Sequence, residues 1–311
     1  MSQWSHLLEN LGIWEGSFTR LSDRGSLLDD VPSRVTLEGL NDNQTVRQTI
    51  QFLTGDRQSH TQERVLEYSS LSRSVLVHES GAFSQGSMQY GPFSEFGAEL
   101  GLKQGDRRLR LVQRYSAQGQ LDAITLIREH RQGTTAQQRS LFDITSALGE
   151  WRGSAITLYP DLSPADRTET RCSMQRQGDR VVYQSNLGLA SRSGFGEFGA
   201  EQYSFRLEAS APNAKSGDLP VAGDTDCIQA SQRLISTTDD PPMQWLSLAD
   251  GSFSLCPVAV PRQQSFSLQV GWQTGVGLSG GSPYRQRQRL LRHYDRSGAW
   301  VALTWVTEQQ L

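Results

Sequence analysis

A seven-residue segment occurs twice in this chain, and no other feature restricts its fold as much. Leu11-Gly12-Ile13-Trp14-Glu15-Gly16-Ser17 returns 137 residues later as Leu148-Gly149-Glu150-Trp151-Arg152-Gly153-Ser154. A longer stretch near the end of each half also answers itself. Between 108–129 and 287–308 eight of twenty-two positions are identical, among them Arg108/Arg287, Arg110/Arg289, Tyr115/Tyr294, Thr125/Thr304 and Glu129/Glu308. The offset grows to 170 at Phe83/Phe253 and Gly101/Gly271, and to 179 in that last stretch. One duplicated domain with loop insertions in its second copy produces this pattern. The 311 residues divide into two units of about 150, each able to bury its own core. We expect a first domain over 1–130, a polar linker over 131–140 and a second domain with longer loops over 141–311.

Trp4, Leu7, Leu8 and Leu11 fall at helical spacing ahead of the first segment, as do Leu141, Ile144 and Leu148 ahead of the second. Each domain should therefore open with a short helix. Segments rich in branched and aromatic residues follow, at 33–40, 46–53, 65–68, 75–78, 95–103, 107–115 and 121–129 in the first copy. In the second they lie at 168–175, 180–186, 203–208, 228–237, 244–248, 265–274, 284–294 and 300–308. Turn clusters such as Asn41-Asp42-Asn43 and Gln104-Gly105-Asp106 separate them, as antiparallel connections require. The fold class expected is all-β: two tandem antiparallel up-and-down barrels, since closure removes exposed sheet edges. The stretch 210–226, with Pro212, Gly217, Pro220 and Gly223, is expected to form a loop on the second barrel's rim.

Composition excludes several function classes. No apolar run approaches the roughly 18 residues a membrane helix needs, and the N-terminus lacks the basic and apolar regions of a secretory signal, so a cytoplasmic protein without membrane insertion is expected. A net charge of −3 offers nucleic acid no global attraction. Cys172, Cys227 and Cys256 are unevenly spaced and confined to the second half, which suits neither a disulfide framework nor a zinc site. Gly275-Val276-Gly277-Leu278-Ser279-Gly280 matches a dinucleotide fingerprint and overlaps a nucleophile-elbow pattern. Both need a following helix, whereas Ser282-Pro283 leads into a strand-like arginine-rich run. The five histidines are scattered, leaving haem on His293 or His130 as the one metal-bearing alternative. No catalytic residues and no resident cofactor are expected.

The candidate binding residues lie on the penultimate strand of each half. Alternation places Arg108, Arg110, Val112 and Arg114 on one face, and Arg287, Arg289, Leu291 and His293 on the matching face of the second copy. We expect this basic face to point outward towards a protein partner, because burying arginines without counter-ions is costly. Pointing inward, the guanidiniums could hold the carboxylate of an apolar ligand such as a tetrapyrrole or a fatty acid. Leu109, Leu111 and Tyr115, with Leu290 and Tyr294, form the opposite face and suit a core. A second echo, Phe93-Ser-Glu-Phe96-Gly-Ala-Glu99 against Phe195-Gly-Glu-Phe198-Gly-Ala-Glu201, has an offset of 102 that fits no step of the duplication. Phe93, Phe96, Phe195 and Phe198 are rim-loop interaction candidates.

Gly-x-Trp after a short helix, at the head of an antiparallel run, resembles the signature of the calycin superfamily of lipocalins and their relatives. The resemblance implies a structural role for Trp14 and Trp151, closing the floor of each barrel. Two such barrels in one chain are similar to a cyanobacterial and plastid family whose plant members act as biogenesis factors for the F1 part of ATP synthase. That likeness implies a non-enzymatic assembly factor with F1 subunits as partner, and it carries no residue roles. Single-barrel relatives include bilin lyases, which make pigment attachment the main enzymatic alternative.

Overall fold

The glycines of the repeated segment show why it recurs. In the computed structural model, which describes residues 2–54, 59–135, 141–188, 199–207, 232–237, 239–279 and 282–311, Gly12 and Gly149 adopt φ of +127° and +116°. Side chains rarely accept that conformation. A Cβ on Gly16 would lie 1.8 Å from the Arg128 carbonyl oxygen, and one on Gly153 would lie 1.8 Å from that of Thr307. Each segment thus begins a strand that passes unusually close to the last strand of its own half. Between the glycines, Trp14 and Trp151 are fully buried, and each indole N–H donates to a carbonyl four residues back, Asn10 at 2.9 Å and Ala147 at 2.8 Å.

The first half contains β1 (Gly12–Ser22), β2 (Leu27–Leu40), β3 (Thr45–Leu53), β4 (His60–Tyr68), β5 (Val75–Val77), β6 (Phe83–Gly86), β7 (Phe96–Gln104), β8 (Arg107–Tyr115) and β9 (Leu121–Arg131). All pairings are antiparallel, in the order β4-β3-β2-β1-β9-β8-β7-β6-β5, so first and last strands pair and the sheet stays open between β4 and β5. The second half repeats this with β10 (Gly149–Leu158), β11 (Asp166–Gln177), β12 (Arg180–Asn186), β13 (Ala200–Arg206), β14 (Gln232–Ile235), β15 (Met243–Leu248), β16 (Ser252–Pro257), β17 (Phe266–Ser279), β18 (Ser282–Tyr294) and β19 (Trp300–Gln310). Here β10 pairs with β19, and the extra strand β14 meets β13 through a bridge between Phe205 and Ser236. The chain is therefore all-β, two up-and-down sheets each curled into a nearly closed barrel.

The opening helices differ from the sequence expectation, whereas the hairpin expected at Gly275 is observed. The first barrel opens with a five-residue helix, α1 (Gln3–Leu7), but the second has only a 3-10 turn over Ile144–Ala147, capped by the Asp143 carboxylate on the Thr145 amide. The glycine-rich segment from Gly275 belongs to β17, which hairpins into β18 with no helix after it. The expected rim loop over 210–226 lies outside the described residues, as does the first part of the 228–237 strand.

The two barrels pack against each other through the outer faces of β7, β8 and β9 and of β16 to β19. One apolar cluster runs through both and includes Leu109, Leu111, Tyr115, Leu268, Leu290 and Tyr294. Its polar contacts obey a local two-fold relation. Tyr115 donates to Pro257 O at 2.8 Å, and its counterpart Tyr294 donates to Ser87 O at 3.0 Å. Gln113 donates to the Ser254 hydroxyl at 2.7 Å, and its counterpart Arg292 donates to that of Ser84 at 3.1 Å. The bridge between Gln89 and Ala299 is matched by one between Gln120 and Ala259. The contact thus has the isologous form of a homodimer interface, built within one chain.

Candidate functional site

The apolar face of β8 and β18 is committed to the interface between barrels, so alternation sends the basic face into the lumens. The outward orientation expected from sequence is wrong, and the reason is a set of counter-ions on neighbouring strands. Register sets Arg108 opposite Glu129 and Arg287 opposite Glu308. Arg108 Nε donates to Glu129 Oε2 at 2.6 Å, and Arg287 Nε donates to Glu308 Oε2 at 2.7 Å. Arg110 and Arg289 each grip the same carboxylate with two nitrogens, at 3.1 and 2.9 Å in the first barrel and 3.1 and 2.7 Å in the second. The guanidiniums of Arg108 and Arg287 lie 4.6 and 4.1 Å from the ring centroids of Trp14 and Trp151. Burial on its own would raise both carboxyls, but the paired guanidiniums outweigh it and hold Glu129 and Glu308 at about 2. The cluster is thus an ionised, hydrogen-bonded brace across each barrel floor.

Beyond this shared brace the lumens differ. In the second barrel Arg289 also donates to the Tyr183 hydroxyl at 2.6 Å and the Ser185 hydroxyl at 3.1 Å. Trp245 stacks on Phe253 with centroids 4.0 Å apart, and Tyr183, Phe142 and Phe205 pack around them. In the first barrel the free nitrogen of Arg110 is taken by Glu99, 2.8 Å away. Strand register assigns the counterparts: Gln48 stands where the second copy has Tyr183, and Val75 where it has Trp245. Three large rings are replaced by smaller side chains, since Leu66 also stands where the second copy has Tyr203, which stacks on Tyr183. A cavity of about 830 Å³ results, walled by Phe18, Leu37, Ile50, Tyr68 and Phe83, with Arg108, Arg110 and Glu99 deep within and Arg64 and Leu66 beside the open β4–β5 seam.

The remaining candidates separate. Arg114 lines the same cavity but is half exposed and paired with Asp122 at 2.6 Å. His293 is fully buried, accepts or donates at Thr304 Oγ1 over 3.0 Å, and is held neutral by burial and by Arg289, with its pKa at about 3. It is a packed residue. Phe93 is 89% exposed, with φ of +65°. Phe96, by contrast, is buried in the inter-barrel core against Tyr294 and Phe266, so it offers no rim contact. Phe195 and Phe198 lie outside the described residues. Sequence reasoning missed Glu99, Glu129 and Glu308 as members of the cluster, although the identity of Glu129 and Glu308 within the repeat was the available signal. It also missed Arg292, which is buried between the barrels 3.5 Å over the Trp300 ring.

A crystal structure of a protein of unknown function of the DUF3598 family from Nostoc punctiforme is 35% identical to this chain, with all of each chain covered and a TM-score of 0.81. The chain belongs to the DUF3598 family. Residues 1–134 match the N-terminal domain of unknown function that names the family. Residues 138–212 and 223–311 match the C-terminal domain described as that of biogenesis factor required for ATP synthase 1. The two matches meet where the first sheet ends. A putative outer membrane protein from Bacteroides fragilis is 12% identical, with full coverage of both chains but a TM-score of only 0.21, too low to carry an argument. No curated protein matches the chain. Among the described residues no helix is long and apolar enough to cross a membrane.

Proposed function

We propose that this DUF3598-family chain is a non-enzymatic assembly factor whose clients are F1 subunits of ATP synthase. The observation that carries the reading is the match of the second barrel, over residues 138–212 and 223–311, to the ATP synthase biogenesis factor domain. The inter-barrel contact supports it: two barrels fastened face to face make a fixed platform on which client surfaces can be held in one relative position. Arg108, Arg110, Arg287 and Arg289 do not form the client surface, because their guanidiniums are buried in ion pairs inside the barrels. Client binding falls instead to exposed features such as Phe93.

The test is affinity purification of the tagged full-length chain from its source organism, with mass spectrometry of what is retained, alongside ATP synthase levels in a deletion strain. Enrichment of F1 subunits and a fall in assembled enzyme are expected. Normal ATP synthase levels without the chain, or retention of unrelated proteins only, would sink the reading.

A further inference from the structure

We propose that the free edge of β4 is a docking site for an extended segment of another protein, which adds to the first sheet as a strand antiparallel to β4. The site is independent of the ATP synthase reading. β4 ends its sheet, and its residues 60–67 are all exposed. An end strand presents a row of backbone donors and acceptors to any chain that can pair with it. Val65 and Leu66, on opposite faces of the strand, add apolar surface at 50% and 46% exposure. The duplication shows what such a seam accepts. In the second barrel β14 enters it, pairs with β15 and meets β13 at Phe205 and Ser236, with Leu234 buried inward and Arg233 on the outer face. In the first barrel α1 covers the far end of the seam. Gln3 Oε1 accepts from the Val77 amide at 2.7 Å, His6 Nδ1 lies 3.1 Å from the Val77 carbonyl oxygen, and Trp4 packs edge-on against Tyr68. Strand register places Val77 and Tyr68 where the second copy has Ser247 and Phe205, both of which β14 meets. The stretch 60–66 remains as exposed edge.

The side chains of β4 decide what the partner carries. A second copy of the chain is disfavoured by charge. Antiparallel pairing of two β4 strands about Glu63 or Arg64 sets that residue against itself, and pairing about Val65 sets Glu63 against Glu67. Like charges directly opposite are destabilising. A different chain meets no such conflict. Glu67 is already paired with Arg47 at 2.7 Å, whereas Glu63 accepts from the neutral Gln51 amide at 2.7 Å and remains for a cation to match. Arg64 and Leu66 lie on the other face, beside the cavity. Read in its own direction, the complementary segment therefore runs apolar, apolar, acidic, basic across Leu66, Val65, Arg64 and Glu63.

The experiment uses the full-length chain and the fluorescently labelled peptide Thr-Thr-Val-Val-Glu-Lys-Val-Thr, whose Glu and Lys stand opposite Arg64 and Glu63 in this register. Anisotropy measures binding, and hydrogen-exchange mass spectrometry locates it. Saturable binding is expected, with slowed exchange over 60–67. The peptide with its Glu and Lys interchanged has the same net charge and is expected to bind about tenfold more weakly, through two mismatched cross-strand pairs. The double variant Glu63→Lys with Arg64→Glu, both exposed positions, should keep the circular dichroism spectrum and reverse that preference. Methylating one alternate set of peptide amides should abolish binding while methylating the other is tolerated, because only one set faces β4. Absence of saturable binding to the wild-type chain overturns the proposal. So does slowed exchange confined to other segments, or an unreversed preference in the folded double variant. Dimerisation of the wild-type chain in sedimentation that is lost in Val65→Lys would assign the edge to a second copy and overturn the assignment to another protein.

Discussion

Tyr115 and Tyr294 occupy equivalent positions on the two barrels, and each donates its hydroxyl to a backbone carbonyl of the other, at 2.8 and 3.0 Å. Their carbonyl acceptors, Pro257 and Ser87, are equivalent too, so the contact reads the same from either side. Around this pair the symmetry is broken by charge. Gln113 is neutral, whereas its counterpart Arg292 spends its donors on the Ser84 and Tyr294 hydroxyls and on the Ser87 carbonyl. Those acceptors keep a second partner, since Ser84 donates to Glu99 O and Tyr294 donates to Ser87 O, so Arg292→Met should cost about 1.5–3 kcal/mol, the range for hydrogen bonds to a charged group. Chemical denaturation should then lose its single transition as the barrels uncouple; an unchanged midpoint would contradict the role.

The repeated glycines make a sharper test. A methyl group at Gly16 or Gly153 meets a carbonyl oxygen 1.8 Å away on the closing strand. Gly16→Ala and Gly153→Ala are each expected to destabilise by about 1–3 kcal/mol through overpacking. Urea midpoints measure this directly. Gly105→Ala has open space around it but a φ of +56°, and should cost only about 1 kcal/mol.

Removing a shared counter-ion should hurt more than any substitution on the surface. Glu308→Gln leaves Arg287 and Arg289 buried with no carboxylate between them, at an expected cost of about 3–5 kcal/mol. Glu129→Gln should cost less, because Arg110 keeps Glu99. The order of the two urea midpoints is the measurement.

Stability should fall in two stages as the solution is acidified. Burial holds His78 and His293 at about 3 against an ordinary 6.5, with a further push from nearby cations. Between those values the unfolded chain binds more protons than the folded one, so stability declines as pH falls from about 6.5. Glu129 and Glu308, held at about 2 against 4.5, stabilise fully above about 4.5 and lose that contribution as pH falls towards 2. Each histidine adds a slope of up to about 1.4 kcal/mol per pH unit. Thermal midpoints should therefore drop below pH 6.5 and more steeply below 4.5. His78→Gln with His293→Gln should flatten the first stage and leave the second. A wild-type plateau from pH 6.5 to 4.5 would refute the assignment.

Much of this architecture was legible because the chain states it twice. The Gly-x-Trp-x-Gly spacing encodes a positive φ, a buried ring and a close strand crossing, all local demands that a sequence displays openly. The orientation of the arginine strand was not local. Whether Arg108 can be buried depends on Glu129, twenty-one residues away on the next strand, and on a second barrel that turns the outer face of Leu109 and Leu111 into core. β6 and β16 were passed over in the sequence although the shorter β5 was expected. The contrast between lumens depended on Gln48 and Val75, ordinary residues whose meaning appears only when strand register sets them beside Tyr183 and Trp245.

Strand count itself bears on the open lumen. In a sheet whose neighbours all run in opposite directions and whose first and last strands pair, an even number of strands can close on itself and an odd number cannot. Among the described residues the second barrel has ten strands, and β14 runs opposite to both of its neighbours, β13 and β15. The first has nine, so β4 and β5 point the same way, with no antiparallel partner between them. Its aperture is a matter of parity: closing it would take a parallel pairing of β4 with β5 or an insertion long enough to add a strand.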